Sequence, residues 1–295
     1  MQTGHVHVTS FSTSQQIQPQ LQNWAGDVTL VLHEPGITQA AAFRYHQAFA
    51  KLASIDAWRA AAQSSTSNTP CPLPGLLRRL VIWFDLADPA VSWNLLRDTP
   101  LKSFHMYNAQ SCISEADVAG FPKSATIVKL FSAQLSSISD SFGQLKDLIS
   151  LDLSGCESLT RLPEAMGLLA ALTRLDLSDC YSLTGLPESM GQLAALTSLD
   201  LGGCSSLTGL PESMGQLVAL TSLDLSWCCS LTVLPESMRQ LVALTSLHLC
   251  ECSSLTVLPE SMGQLTALTS LDLSHCSSLT VLPEWMGQLA ALTSL

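Results

Sequence analysis

The chain has 295 residues, 47% of them hydrophobic and only 13% charged, with a formal net charge of −11. So much apolar side chain is inconsistent with a disordered chain. The acidic balance argues against nucleic acid as a partner, because a phosphate backbone calls for a basic stripe, and it favours protein partners with basic or neutral surfaces.

The N-terminus, MQTGHVHVTSFSTSQQ, carries neither a basic n-region nor an apolar h-region, so it does not read as a secretory signal. No later run is long and apolar enough for a membrane helix, and no membrane partner is expected. The expected location is the cytoplasm, with the nucleus as the alternative. Apolar residues separated by one position, the mark of a half-buried strand, begin at Val6-x-Val8 and recur at Leu30-x-Leu32, Ile55-x-Ala57, Leu80-x-Ile82, Phe104-x-Met106 and Val128-x-Leu130. Successive starts lie 23 to 25 residues apart, which predicts degenerate repeats, or a cap region, over residues 1–126. A rival division makes 1–75 a separate small domain. Its support is the amphipathic, alanine-rich stretch from Gln39 to Gln63 and the loop-like run from Ser64 to Gly75. His5-x-His7 places two imidazoles on one strand face, but without a third ligand an exposed polar face is the better reading.

Residues 127–295 form the regular part. From Leu151 one phrase recurs every 24 residues, with copies at Leu175, Leu199, Leu223, Leu247 and Leu271, and Leu295 is the first letter of another. A period in this range means stacked units, none of which buries its apolar face alone. In the unit at Leu175, Leu177 continues a short strand, Pro187 ends the ladder-forming stretch, and Glu188 to Leu193 reads as a helical or 3-10 turn with Met190 and Leu193 inward. Stacking these units predicts an α/β solenoid, a curved horseshoe with a parallel sheet on the concave side and short helical turns on the convex side. The C-terminal end is expected to be uncapped.

The motif L-x-x-L-x-L-x-x-C-x-x-L-x-x-L-P is a leucine-rich repeat. With Cys in place of Asn, and L-P-E-S-M-G-Q-L behind it, the array resembles the repeat region of plant intracellular disease-resistance receptors of the nucleotide-binding, leucine-rich-repeat type, and similar green-algal arrays. The resemblance covers Leu151 to Leu295 and implies a protein-recognition module in defence-type signalling. Cys156, Cys180, Cys204, Cys228, Cys252 and Cys276 share one position of the repeat. A disulfide ladder fits adjacent strands, and zinc needs clustered ligand pairs. Buried reduced thiols closing the bend after each strand are the favoured reading.

No phosphate loop, G-x-G-x-x-G, G-x-S-x-G, H-E-x-x-H or kinase catalytic loop occurs, so neither cofactor nor metal is expected and the chain does not read as an enzyme. The ordered polar groups lie along the strands. Asp152, Asp176, Asp200, Asp224, His248 and Asp272 share the second strand position, and Arg174 precedes one strand. Asp179, Trp227, Glu251 and His275 share a later position. Carboxylates one strand apart repel, which predicts raised pKa values along Asp152 to Asp224, relieved by serine hydroxyls, by Arg174 or by a bound cation. The row reads as an acidic strip for a basic partner segment. Trp227, His248, Glu251 and His275 depart from the repeat and form the first-choice contact patch. Arg239 and Trp285, on the convex turns, read as drift. A structural scaffold or signalling adaptor, and a piece of a larger enzyme or ligase, are the alternative functions. Partner identity and oligomeric state are open.

Overall fold

The computed structural model describes residues 4–8, 28–32, 77–83, 102–107, 112–113 and 121–294. The chain divides into two compact units, Met1–Asn108 with Ala116–Val128, and Ala109–Glu115 with Lys129–Leu295.

In the first unit, β1 (Gly4–Val8), β2 (Val28–Leu32), β3 (Leu77–Trp83) and β4 (Ser103–Tyr107) pair in parallel, each with the next. Val6 faces Leu30, Leu30 faces Leu80, and Leu80 faces Phe104. The first and last of these are the registers that apolar alternation predicts. The predicted strand around Leu52 and Ile55, the predicted helix Gln39–Gln63 and the loop Ser64–Gly75 lie outside the described residues. In the described sheet β2 hydrogen-bonds directly to β3. Phe104 is buried against Phe121, with ring centroids 5.2 Å apart.

In the second unit, a two-residue pair joins β5 (Cys112–Ile113) to β7 (Ser137–Ile138), while β6 (Ile127–Phe131) begins just before the unit boundary. The main sheet then runs through β8 (Ser150–Asp152), β9 (Arg174–Asp176), β10 (Ser198–Asp200), β11 (Ser222–Asp224), β12 (Ser246–His248) and β13 (Ser270–Asp272), all parallel. Leu151, Leu175, Leu199, Leu223, Leu247 and Leu271 face one another in register. Each is essentially fully buried. Ladder bonds continue past each strand, with Leu177 N–H donating to the Asp200 carbonyl and Asp179 N–H to the Gly202 carbonyl.

Each strand is followed by a loop and then by a five-residue 3-10 turn, such as Glu188–Gln192 and Glu212–Gln216, with an extended proline at its N-cap. Five residues are too few for the i to i+4 bonding of a useful α-helix, and 3-10 geometry is the form used in such short pieces. Met166, Met190, Met214, Met238 and Met262 point inward from these turns and are fully buried. The result is a leucine-rich-repeat solenoid: a parallel sheet on one wall, short turns on the other, and a leucine-methionine core between them.

Side-chain ladders tie each unit to the one before. Thr197 Oγ1 donates to the Thr173 carbonyl at 3.0 Å, Thr221 to Thr197 at 2.9 Å, and Thr245 to Thr221 at 2.9 Å. The six repeat cysteines are free, buried thiols, and each Sγ donates to a leucine carbonyl of the preceding unit, as Cys180 does to Leu153 at 3.3 Å and Cys204 to Leu177 at 3.2 Å. Burial pushes Cys156, Cys204 and Cys252 up to about 12 and raises Cys180, Cys228 and Cys276 as well. The thiols are therefore protonated hydrogen-bond donors in the bend.

The two convex departures have structural consequences. Trp285 is only 3% exposed and packs where a Cβ on Gly263 would fall. Elsewhere the glycine of the turn abuts the next unit, and a Cβ on Gly191 or Gly215 would lie 2.5 Å from the carbonyl oxygen of Ser213 or Ser237. Arg239 takes that glycine position. In the following turn Pro259 shifts to φ −56°, ψ 136°, and the Ser261 hydroxyl donates to the Glu236 carbonyl.

Candidate binding face

The strand positions flanking each buried leucine project from the sheet, and parallel in-register pairing turns single residues into columns. Asp152, Asp176, Asp200, Asp224, His248 and Asp272 form one column, each half-buried and one strand from the next. Ser150, Arg174, Ser198, Ser222, Ser246 and Ser270 form the column beside it.

The first column does not titrate as like-charge repulsion alone predicts. Asp152 is partly buried, which pushes its carboxyl up, but hydrogen bonds from Lys129 Nζ at 2.6 Å and from Ser154 outweigh this and hold it below its ordinary range. Asp272 is held down by the Ser274 hydroxyl, at 2.5 Å from its Oδ1, and by the Ser274 N–H. Asp200 is raised. Burial is the main cause, the Gly202 N–H opposes it, and the charges of Asp176, Asp224 and Asp179 add to it. The rise expected along Asp152 to Asp224 is therefore corrected at Asp152. Arg174 is exposed and makes no ion pair among the described residues, so its expected relieving role falls to Lys129. Lys129 precedes Leu130 in the same strand-position register as the aspartates, and that register was readable from the sequence.

Serine hydroxyls bond Asp152, Asp176 and Asp272, at 2.7, 2.7 and 2.5 Å. Asp200 and Asp224 receive only backbone N–H bonds, from Gly202 at 2.9 Å and Ser226 at 2.8 Å. These two neighbours are the least compensated carboxylates of the row. His248, where the aspartates are interrupted, has its Nε2 2.8 Å from the Ser246 hydroxyl.

The second set of candidates shares a backbone property that the sequence did not reveal. Gly155, Asp179, Gly203, Trp227, Glu251 and His275 all have positive φ, from 58° to 77°. The chain turns sharply there while still donating its N–H to the next unit, as Trp227 does to the Cys250 carbonyl at 2.7 Å. Glycine takes this conformation freely, and other L-residues lose roughly 1–2 kcal/mol in it. Asp179, Trp227, Glu251 and His275 accept that strain, which is the kind retained at functional positions. Trp227, Glu251 and His275 stand side by side in successive units. Trp227 is 56% exposed.

The unit at Leu199 has glycine at both positions where its neighbours carry side chains, Gly202 and Gly203. Above them opens a depression of about 560 Å³, bounded by Asp179 and Tyr181 on one side and Trp227 and Cys229 on the other, with Asp200 and Asp224 on its floor. Tyr181 is 44% exposed. Its phenol is raised by the adjacent charge of Asp179. The sequence signal for Tyr181 was available: it is the one aromatic in the column Glu157, Tyr181, Ser205, Cys229, Ser253, Ser277. Among the described residues no group of three or more His, Cys, Asp or Glu side chains is arranged to hold a metal ion.

The family model for the leucine-rich repeat matches residues 171–193 and 267–289. Comparison with curated protein sequences finds no match. Among solved structures, the leucine-rich repeat domain of the type III effector XopL superposes with a TM-score of 0.60 at 26% identity, covering 72% of this chain and 72% of that one. A leucine-rich-repeat protein of Leptospira interrogans superposes with a TM-score of 0.50 at 24% identity, covering 79% of this chain and 64% of that one.

Proposed function

We propose that the chain is a non-enzymatic protein-recognition module that holds its partner on the strand face of the second unit. Leucine-rich-repeat folds commonly mediate protein–protein interaction, because stacking creates a continuous preformed surface. The observation that carries the reading is the column Asp179, Trp227, Glu251 and His275, exposed at all but the half-buried Glu251, each non-glycine in a conformation that favours glycine. Side chains kept there at a cost in stability, beside a row of carboxylates, fit contact with a basic or neutral protein surface better than they fit a scaffold role. A preformed surface also loses little conformational freedom on binding.

On the finer points, the wording of the repeats supports a role in defence-type signalling like that of the resembled plant receptors. The buried free thiols are compatible with the reducing cytoplasm. The strand spacing supports reading residues 1–126 as irregular repeats ahead of the regular array at 127–295.

Site-specific photocrosslinking tests the face. A photoreactive residue replacing Ser222 or His248 is expected to capture the same protein, whereas one replacing Gln216 on the turn wall is expected to capture none. Capture from Gln216 alone would refute the strand-face assignment.

A further inference from the structure

We infer that the depression over Gly202 and Gly203 is an anchoring pocket for a single arginine side chain of the partner. The inference rests on the reading that the strand face binds protein, and it names the chemistry of the anchor.

The pocket lies over two adjacent glycines, with the Asp179 carboxylate leaning over Gly203 to within 2.5 Å of where a Cβ would fall. At the first position the flanking units carry Ser178 and Ser226, and at the second they carry Asp179 and Trp227, where this unit has Gly202 and Gly203. Tyr181 and Trp227, both exposed, come from units two repeats apart, so their chain positions are separated by about two strand spacings, roughly 10 Å. That gap suits a planar group lying between two aromatic faces. The floor and rim present Asp200, Asp224 and Asp179, and the whole chain carries a net charge of −11. Charge complementarity therefore selects a cation.

Arginine fits better than lysine. The guanidinium is flat, stacks on aromatic rings and offers a fork of donors to paired carboxylates, whereas an ammonium is a compact, strongly hydrated point charge. Asp200 and Asp224 are neighbours in register and accept no hydrogen bond from a serine hydroxyl, unlike Asp152, Asp176 and Asp272. Each keeps one carboxylate oxygen without a hydrogen bond from the protein, since only Oδ1 accepts in each case. Burial and the surrounding carboxylates also raise Asp200, which a bound cation would reverse.

Gly202→Ser is a discriminating variant. It writes the residue of the neighbouring units into this one, leaves the net charge untouched, narrows the pocket at its floor, and gives Asp200 the hydroxyl partner it lacks. A Cβ at Gly202 would lie 3.2 Å from Asp200 Oδ1, close enough for that bond with a small adjustment.

The probes are the peptide Ac-GSGRGSG-amide and its lysine and citrulline counterparts, titrated against the full chain by NMR. The readout is the Trp227 indole N–H signal, assigned by comparison with Trp227→Phe. The arginine peptide is expected to shift that signal and to bind Gly202→Ser at least tenfold more weakly. The lysine peptide is expected to bind several-fold more weakly than arginine, and the citrulline peptide not at all. No shift with the arginine peptide, equal binding to Gly202→Ser, or equal binding of either counterpart would overturn the assignment. Photocrosslinks from Ser222 and His248 that persist while the peptide fails leave the face standing without the arginine pocket. Crosslinks confined to Gln216 remove the face itself.

Discussion

Glycine plays opposite roles at two positions of the same repeat, and substitution separates them. At Gly191 an added methyl would meet the Ser213 carbonyl oxygen at 2.5 Å and its Cβ at 2.8 Å. Overpacking against backbone costs roughly 1–3 kcal/mol. At Gly185 nothing lies within 4 Å of the added atom. There the gain from restricting the unfolded chain should dominate, stabilising by about 0.4–1 kcal/mol. Urea denaturation of Gly191→Ala and Gly185→Ala is therefore expected to give shifts of opposite sign. Equal shifts would mean the turn walls are not in contact as described. Trp227 reverses the usual reasoning about large aromatics. It is 56% exposed at φ 63°, so Trp227→Gly loses little packing and relieves backbone strain. It should raise the unfolding free energy by about 0.5–1 kcal/mol, net of glycine's extra unfolded-state entropy. Destabilisation by more than that would show the indole to be a packing element and would remove it from the binding face.

The strand and its following bend behave as one element because the cysteine thiol is their common fastening. Each ladder thiol is ordinarily near 9.0 and is raised in the fold, to about 12 at Cys156, Cys204 and Cys252. A raised pKa of this kind contributes stability that is intact below pH 9 and is lost as pH climbs toward 12, because the unfolded chain sheds a proton that the folded chain keeps. The slope is about 1.4 kcal/mol per pH unit for each such thiol. Urea midpoints should accordingly fall steeply between pH 9 and 10.5, and Cys204→Ala should flatten the slope by one thiol's share while lowering stability at every pH. A pH-independent midpoint across that range would contradict the buried ladder. The element scale also shows what could be read in advance. Alternating apolar residues located β1, β2, β3, β4 and β6 by their central residues, because burial of one strand face leaves a period-two trace. Counting about 25 residues per step gave no sign that β2 pairs directly with β3, because hydrogen-bond pairing is indifferent to chain length. Trp227 stood out as a departure from its column. The depression beside it did not, since Tyr181, Gly202 and Gly203 are each unremarkable until register sets three units side by side. Lys129 is hidden for a simpler reason: it stands in the aspartate column one strand before Leu151, where the repeat phrase has not yet begun.

At the scale of the whole array, every contact between units is made by residues 24 or so positions apart, as in the threonine ladder and the leucine register. Stability is then approximately a sum of unit and nearest-neighbour terms, and an entire period should be removable. Excising Leu199–Ser222 joins Ser198 to Leu223 and leaves each interface with its own kind of partner. Gly191 would abut Ser237 in place of Ser213, and Cys228 would donate to the Leu177 carbonyl in place of Leu201, because the removed groups are replaced by their repeats. The shortened chain is expected to fold, to unfold in one transition at a lower urea midpoint, and to lose the arginine peptide, since Gly202 and Gly203 leave with the unit. Excising only Leu199–Leu210, half a period, would set strand residues against turn residues and expose the leucine face, and that chain is expected not to fold. Circular dichroism and urea melts of the two deletions decide the matter. If the 24-residue deletion unfolds like the 12-residue one, long-range coupling rather than neighbour-by-neighbour stacking holds the array together. If it folds and still binds the peptide, the pocket lies elsewhere on the face.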